Sequence, residues 1–335
     1  MAASLEIIPF DEKFKYGETK GDFLGPSEWG RRWPQCDGRR QSPINIRTRR
    51  AINRRYRPLI MTFDTWRGLV TGTLKNTRHY PMLEIDEGRG AKLRGGPLRG
   101  TYTLKQFHFH FGCANSRGSE HTRNGRRFSG ELHLVFKKTT ARGDEFAVVA
   151  LWVQAPSRTG SRVLGRFADL TRKIIEPDSD ETVRFSDGIF IRGLIPRRCN
   201  KRFSRRAILN CYYTYKGSLT TPICSENVTW LIVKPWLPAT NNMKENDHKL
   251  ALAQGFDRIE NPRRYLYYHY RFLHLSDTEK KLGAAKLCKN LLREPSDEAA
   301  LFTSHVTETI GRSLSDPAED SRLVTIVPTD QSRVA

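Results

Sequence analysis

Between residues 58 and 153 the chain runs through six short segments in which apolar and polar side chains alternate: PLIMTFDTW, GLVTGTLKN, PMLEIDE, TYTLKQFHFHFG, ELHLVFKKT and EFAVVALWVQ. Gly, Asn and Pro separate them. A period of two sends successive side chains to opposite faces, the pattern of half-buried strands in an antiparallel sheet. With 335 residues of which 38% are hydrophobic, the chain can bury a sizeable core, and β-folds of this extent commonly form one domain. The expectation is a mostly β domain with peripheral helices. One such helix is predicted over 161–176, where Val163, Leu164, Phe167, Leu170, Ile174 and Ile175 recur at helical spacing, and it should lie on the outside of the sheet. Residues 276–335 are polar, with one amphipathic helix candidate near 278–293 followed by a Ser-, Asp-, Glu- and Thr-rich tail, so weak order is expected there.

The formal net charge is +21, and most of the excess is Arg scattered through 31–57, 89–99, 117–127 and 197–206. Such a surface attracts polyanions. No basic helix or aromatic–basic motif organises these charges, so a solvated surface is favoured and no nucleic-acid site is expected. No run of about 18 apolar residues occurs, and the start, MAASLEIIPFDEKFKYGE, carries acids where a signal peptide needs an apolar stretch. Neither a membrane span nor a secretion signal is expected. The 6 cysteines contain no CxxC pair, which argues against a thiolate zinc site.

The chemistry concentrates in two of the alternating segments. In QFHFHFG (106–112), His108 and His110 at i and i+2 share one face, and Phe107, Phe109 and Phe111 share the other. In ELHLVF (131–136), Glu131, His133 and Val135 share a face opposite Leu132, Leu134 and Phe136. If these strands pair, three imidazoles converge. Three neutral imidazoles leave zinc a fourth position open for water, the catalytic pattern. Gln106 and Glu131 each precede a candidate ligand by two residues on the same face and could fix its tautomer. An HxH alone is more often a pair of ordinary strand histidines; the third His on a matching strand shifts the balance towards zinc.

These residues strongly resemble the alpha-carbonic anhydrase family. QFHFHFG, GSEHT (118–122), ELHLV (131–135), GSLTTP (217–222) and VTW (228–230) occur in the family's order, and GPSEW (25–29), QSPINI (41–46) and GGPLRGTYTL (95–104) add further matches. The resemblance covers roughly 14–240. It implies a single domain around a large, mainly antiparallel twisted sheet, placed at 14–275, with 1–13 and 276–335 as extensions. It implies reversible hydration of carbon dioxide to bicarbonate and a proton by zinc-bound hydroxide, with His108, His110 and His133 as ligands and no redox cofactor. Thr220 resembles the residue that accepts from the nucleophile and donates to Glu120. His121 resembles a structural hydrogen-bonding residue. Val135, Val148, Leu219 and Trp230, with Thr221 beside them, resemble the substrate pocket. His79 falls where fast members place a proton shuttle, a role suited to imidazole chemistry, and Tyr16 and Asn76 resemble residues that order water along that route.

Some positions depart from the family. Phe111 and Phe136 replace a usual Trp and a polar aromatic, which implies changed packing, and RRCNKRFSRRAILNC (197–211) looks like a basic insertion. ENPRRYLYYHYRFLHL (260–275) matches the family's closing segment only loosely. Cys36 and Cys224 resemble the disulfide pair of secreted and membrane-attached members, and Cys199 with Cys211 is a candidate second bridge, leaving Cys113 and Cys288 free. The cysteine pair and the sequon at Asn227 point to a secreted, oxidising location. The start of the chain shows no signal peptide, which an incomplete gene start, an unconventional signal or, as the alternative, a cytoplasmic protein with reduced thiols would reconcile with the cysteines. A monomer is expected. The alternative function is a catalytically silent binding module of the same family, with a sulfated glycan as the partner class that the charge admits. Retention on heparin at physiological salt tests that partner, and free passage rules it out. A zinc hydrolase acting on esters is a further alternative.

Overall fold

A computed structural model of the protein describes residues 14, 16, 19, 22–77, 79–111, 118–155, 160–171, 174, 182–196, 199–203, 206–239 and 324–326. The strands are β1 (Asn45–Ile46), β2 (Ile52–Asn53), β3 (Arg57–Phe63), β4 (Leu69–Asn76), β5 (Pro81–Ile85), β6 (Ala91–Gly96), β7 (Thr101–Phe111), β8 (Thr122–Arg123), β9 (Gly130–Thr140), β10 (Gly143–Gln154), β11 (Val183–Phe190), β12 (Asn200–Phe203), β13 (Arg206–Leu209), β14 (Tyr212–Gly217), β15 (Val228–Pro238) and β16 (Thr325–Ile326). Fourteen of them form one sheet along the order β12-β13-β3-β6-β7-β9-β10-β15-β14-β16-β2, with β5 joining β7 to β4 and β11 pairing β4. Pairing is antiparallel except between β10 and β15 and between β16 and β2. The remaining strands, β1 and β8, form a separate parallel pair.

The six alternating segments of the sequence are β3, β4, β5, β7, β9 and β10. Their two faces divide the core. Phe107, Phe109, Leu132, Leu134 and Phe136 belong to one apolar cluster, whereas Val135, Val148, Leu219 and Trp230 belong to another. The first is covered by α1 (Arg162–Thr171), which buries Leu164 and Phe167 and brings the Phe167 ring to 5.4 Å from that of Phe107. Fully burying one such Phe stabilises the fold by about 1.5–3 kcal/mol.

The order of faces along β7 is reset by an irregularity that simple alternation does not predict. Its pairing with β9 shifts register between Leu104 and Gln106. Before the shift, Tyr102 and Leu104 face the helix-side cluster; after it, Phe107 and Phe109 do. The extra residue, Lys105, moves the even-numbered positions to the opposite face, as a bulge does. Without it His108 and His110 would point where Leu104 points.

Three further expectations meet the structure here. The helix ends at Thr171, short of the predicted 176, and Ile174 is buried just beyond it; Ile175 lies outside the described residues. The stretch 197–211 contains the hairpin β12–β13, which extends the sheet beyond β3 through pairs such as Ile208 with Ile60. Phe136 is fully buried, and Phe111 packs beside Phe109 at 5.6 Å, so both departures from the family pattern place an apolar ring on the helix side. Residues 1–13, 240–322 and both Cys113 and Cys288 lie outside the described residues. However, Thr325–Ile326, from the tail expected to be weakly ordered, pairs with β14 and β2.

Candidate metal centre

Antiparallel pairing of β7 with β9 sets His108 directly opposite His133, and His110 follows two residues on. The three rings lie 4.7–5.1 Å from one another, and one nitrogen from each comes within 4.8 Å of the others. All three side chains are buried.

The hydrogens of two rings can be assigned from their neighbours. His108 Nδ1 lies 2.8 Å from the Gln106 side-chain oxygen, which can only accept, so Nδ1 carries the hydrogen and Nε2 a lone pair. His133 Nε2 lies 2.7 Å from Glu131 Oε1, so its Nδ1 carries the lone pair. These two lone-pair atoms face each other at 3.2 Å. His110 Nε2 is buried with no hydrogen-bond partner. Three inward-facing imidazole nitrogens, one orphaned and two mutually unsatisfied, fit a bound cation, and the donor set suits zinc. Burial first, then the neighbouring imidazoles, holds His108 and His110 well below the ordinary imidazole pKa. For His133 burial outweighs the opposing pull of Glu131. Neutral imidazoles are the form that ligates.

A second group, His121, Glu131 and His133, has metal-like spacing, but hydrogen bonds account for it. His121 donates from Nδ1 to Glu131 Oε1 at 2.6 Å and from its backbone N–H to Oε2 at 2.8 Å. Its Nε2 then accepts from the Tyr215 hydroxyl at 2.7 Å, and that hydroxyl accepts from Ser42 Oγ at 2.8 Å. Burial would raise the Glu131 pKa, but the electrostatic pull of the neighbouring His121 and the hydrogen bonds from His121 and His133 outweigh it and hold the carboxyl well below its usual range. Glu131 is thereby fixed as the acceptor that orients His133.

Glu120 reaches the centre from the loop between β7 and β9. Gly118 and Ser119 both donate backbone N–H groups to the Phe128 carbonyl at 3.0 Å, and Phe128 donates back to Ser119 Oγ at 2.9 Å. A Cβ on Gly118 would collide with the Ser129 carbonyl oxygen, so the loop needs glycine there. Glu120 Oε2 lies 3.4 Å from His110 Nε2 and 3.8 Å from His133 Nδ1, and the Thr220 hydroxyl hydrogen-bonds to this carboxyl. Burial and the Glu131 charge push the Glu120 pKa up, against Thr220 and Arg127; a cation beside it would oppose that rise.

Register builds the apolar wall. Val135 pairs with Val148 across β9 and β10, and Val148 pairs with Trp230 across β10 and β15, so the three form a row beside the imidazoles. The Trp230 ring stands 4.9 Å from that of His133, with its Nε1 donating to the Ser218 carbonyl. Leu219 joins the same cluster and Thr221 is buried. On another side His79 stacks on Phe14 at 4.0 Å and meets Tyr16 edge-on at 6.0 Å, and Tyr16 lies 6.3 Å from His110. Asn76 gives its side-chain amide to the Ile174 carbonyl at 3.1 Å. Cys36 bonds to Cys224, whose backbone N–H donates to Thr221, and Cys199 bonds to Cys211.

Sequence reasoning missed Tyr80, whose ring stacks on His108 and lies tilted beside His110, and the Tyr215–Ser42 end of the hydrogen-bond chain. Tyr80 carried a usable signal, since it precedes β5 and Met82 of β5 pairs with His108. Tyr215 sits among four aromatic or β-branched residues, YYTY, and nothing local distinguishes it.

The family model of eukaryotic-type carbonic anhydrases matches residues 24–271. The chain belongs to that family. Carbonic anhydrase 7 of Mus musculus is 34% identical over 244 residues, covering 70% of this chain and 85% of its own length. Carbonic anhydrase 4 of Mus musculus is 34% identical over 246 residues, covering 70% and 72%. A protein named "Putative carbonic anhydrase" from Acropora millepora is 84% identical over 93 residues, 28% of this chain, and the match spans 63% of that relative's length. The family is one of zinc enzymes, and the three-imidazole centre described above is the feature of this chain that fits it.

Proposed function

We propose that this chain is a zinc enzyme that reversibly hydrates carbon dioxide to bicarbonate and a proton. The observation that carries the reading is the convergence of His108 Nε2, His133 Nδ1 and the unpartnered His110 Nε2 in one buried space. When bound there, zinc supplies a Lewis acid that brings loss of a water proton near neutral pH, behaviour for which carbonic anhydrases are themselves the standard example.

The protein's part is orientation, desolvation and proton export. With its hydrogen donated to Glu120, the Thr220 oxygen can only accept, so a nucleophile hydrogen-bonded to it presents a lone pair away from Thr220 and towards the wall of Val135, Val148 and Trp230. That wall has no polar atom to offer except the Trp230 N–H, which is already engaged, so it suits a small apolar molecule. His79 would pass the proton outward, as a positioned imidazole beside the centre can do. The two disulfides favour an oxidising location.

Stopped-flow hydration of carbon dioxide by the purified protein, run with zinc content and beside His108→Ala, tests the reading. Zinc-dependent hydration lost in the variant is expected. A folded wild type that neither retains zinc nor hydrates carbon dioxide would overturn it.

A further inference from the structure

Tyr80 is buried, with 5% of its surface exposed, yet it belongs to none of the three apolar clusters of the described residues. Its ring contacts lie with the imidazoles. It stacks on His108 at 4.4 Å and 25° and meets His110 at 5.4 Å and 58°. The backbone puts it there twice over. Because β5 runs antiparallel to β7 with Met82 opposite His108, the position two residues before Met82 falls beside His110 on the same face. The residue is also tied into a turn by Thr77, whose hydroxyl donates to the Tyr80 carbonyl at 2.7 Å and accepts from the Tyr80 N–H at 3.1 Å, while the Thr77 N–H donates to the same carbonyl at 3.2 Å.

Each candidate ligand needs its ring plane held, not only its backbone. Gln106 anchors one edge of the His108 ring, but a single hydrogen bond at one nitrogen leaves the ring free to rock about that contact. A flat surface against the ring face removes this freedom, and an offset aromatic stack is the favourable way to supply it.

We propose that Tyr80 is a positioning residue for the metal centre: its ring, held by the Thr77 turn, stacks on His108 and fixes that ring's plane so that His108 Nε2 converges with His110 Nε2 on one cation. The proposal rests on the reading of these histidines as zinc ligands. It attributes the effect to the ring and none of it to the hydroxyl.

The test is the rate of zinc release to excess chelator from zinc-loaded wild type, Tyr80→Ala, Tyr80→Leu and Tyr80→Phe, with Tm measured for the apo and loaded forms of each. The Ala and Leu variants should release zinc on the order of tenfold faster, as expected when a support of a metal ligand is removed, and the Phe variant should match wild type. The gap between apo and loaded Tm should narrow in Ala and Leu. Leu, which keeps apolar bulk without a ring plane, carries the test where Ala does not fold. Unchanged release from Ala and Leu overturns the proposal, as does an equal Tm loss in apo and loaded forms, which would mark ordinary packing. A Phe variant as fast as Ala also overturns it, by assigning the effect to the hydroxyl. A wild type that takes up no zinc defeats the zinc reading itself; a zinc-binding wild type with indifferent variants defeats only the role of Tyr80.

Discussion

His133 Nδ1 and His108 Nε2 face each other at 3.2 Å without a hydrogen between them. Each ring directs its hydrogen the other way, to Glu131 and to Gln106, so two lone pairs meet in a buried space. Metal-free protein must retain this repulsion or distort to relieve it, whereas a cation turns it into two bonds. Zinc should therefore raise Tm and chelation lower it. With free zinc at a thousand times Kd the gain is about 4 kcal/mol, readable by calorimetry on apo and zinc-loaded samples. A Tm indifferent to zinc would show that the imidazoles are not a metal site.

The Thr220–Glu120 hydrogen bond predicts a separation of activity from metal content. Thr220→Val keeps the shape and removes the hydroxyl that Glu120 orients. The nucleophile then loses its directional partner, and a misoriented reactant costs about 100-fold in rate. The expected result is kcat/KM for carbon dioxide hydration lower by about that factor with zinc stoichiometry intact; unchanged kcat/KM would remove Thr220 from the mechanism.

The imidazole set was legible because its parts lie within single strands, where an i, i+2 spacing carries directly into geometry. His108, His110, Gln106 and Glu131 needed only the pairing of two strands to meet, and β7 and β9 pair. What strand alternation alone could not show was whatever depends on an irregularity or on contacts between distant segments. The step at Lys105 is written in the sequence only as a three-residue gap between Leu104 and Phe107 in an otherwise two-residue rhythm. The Ser42–Tyr215–His121 chain joins three segments separated by up to 173 residues, with no local pattern at any of them. Tyr80 falls between these cases: its place follows from register once β5 is known to lie beside β7.

The Cys36–Cys224 bridge joins positions 188 residues apart and is tied to the active-site loop by the hydrogen bond from the Cys224 N–H to the Thr221 carbonyl at 2.8 Å. Closing so long a loop restricts the unfolded chain, and losing a native bridge typically costs about 2–5 kcal/mol. Cys224→Ser should lower Tm and, because Thr220 and Thr221 sit on the released loop, lower kcat as well. Thermal scans and stopped-flow assays check both. Equal activity in wild type and variant would show that the loop holds its shape without the bridge.

Acid sensitivity should trace in part to Asp86. Its carboxyl is held below the ordinary carboxylate value, first by hydrogen bonds from Arg184 at 2.5 and 2.7 Å and further by Thr71, against a smaller opposing effect of burial. The folded pKa lies below the unfolded one, so the stability this group contributes is present above the unfolded value of about 3.8 and is lost as pH falls through the folded value. Asp86→Asn should be less thermostable than wild type at neutral pH, and the difference should shrink on acidification below that range. A Tm difference constant with pH would assign the effect to shape alone.

His79 gives the most specific kinetic prediction. Its ring is stacked flat on Phe14 at 4.0 Å, with Tyr16 beside it and Tyr16 in turn near His110, so it is placed beside the centre without being one of the converging nitrogens. A group that only exports the proton acts after carbon dioxide has reacted. Its removal should then depress kcat while leaving kcat/KM unchanged. His79→Ala assayed in dilute, bulky buffer should show a kcat lower by about 10²-fold or more, the scale of a positioned acid–base group, and small imidazole buffers should restore it by carrying the proton themselves. If kcat/KM falls in parallel, or if added imidazole gives no recovery, His79 acts on substrate or on structure, and the proton leaves by another path.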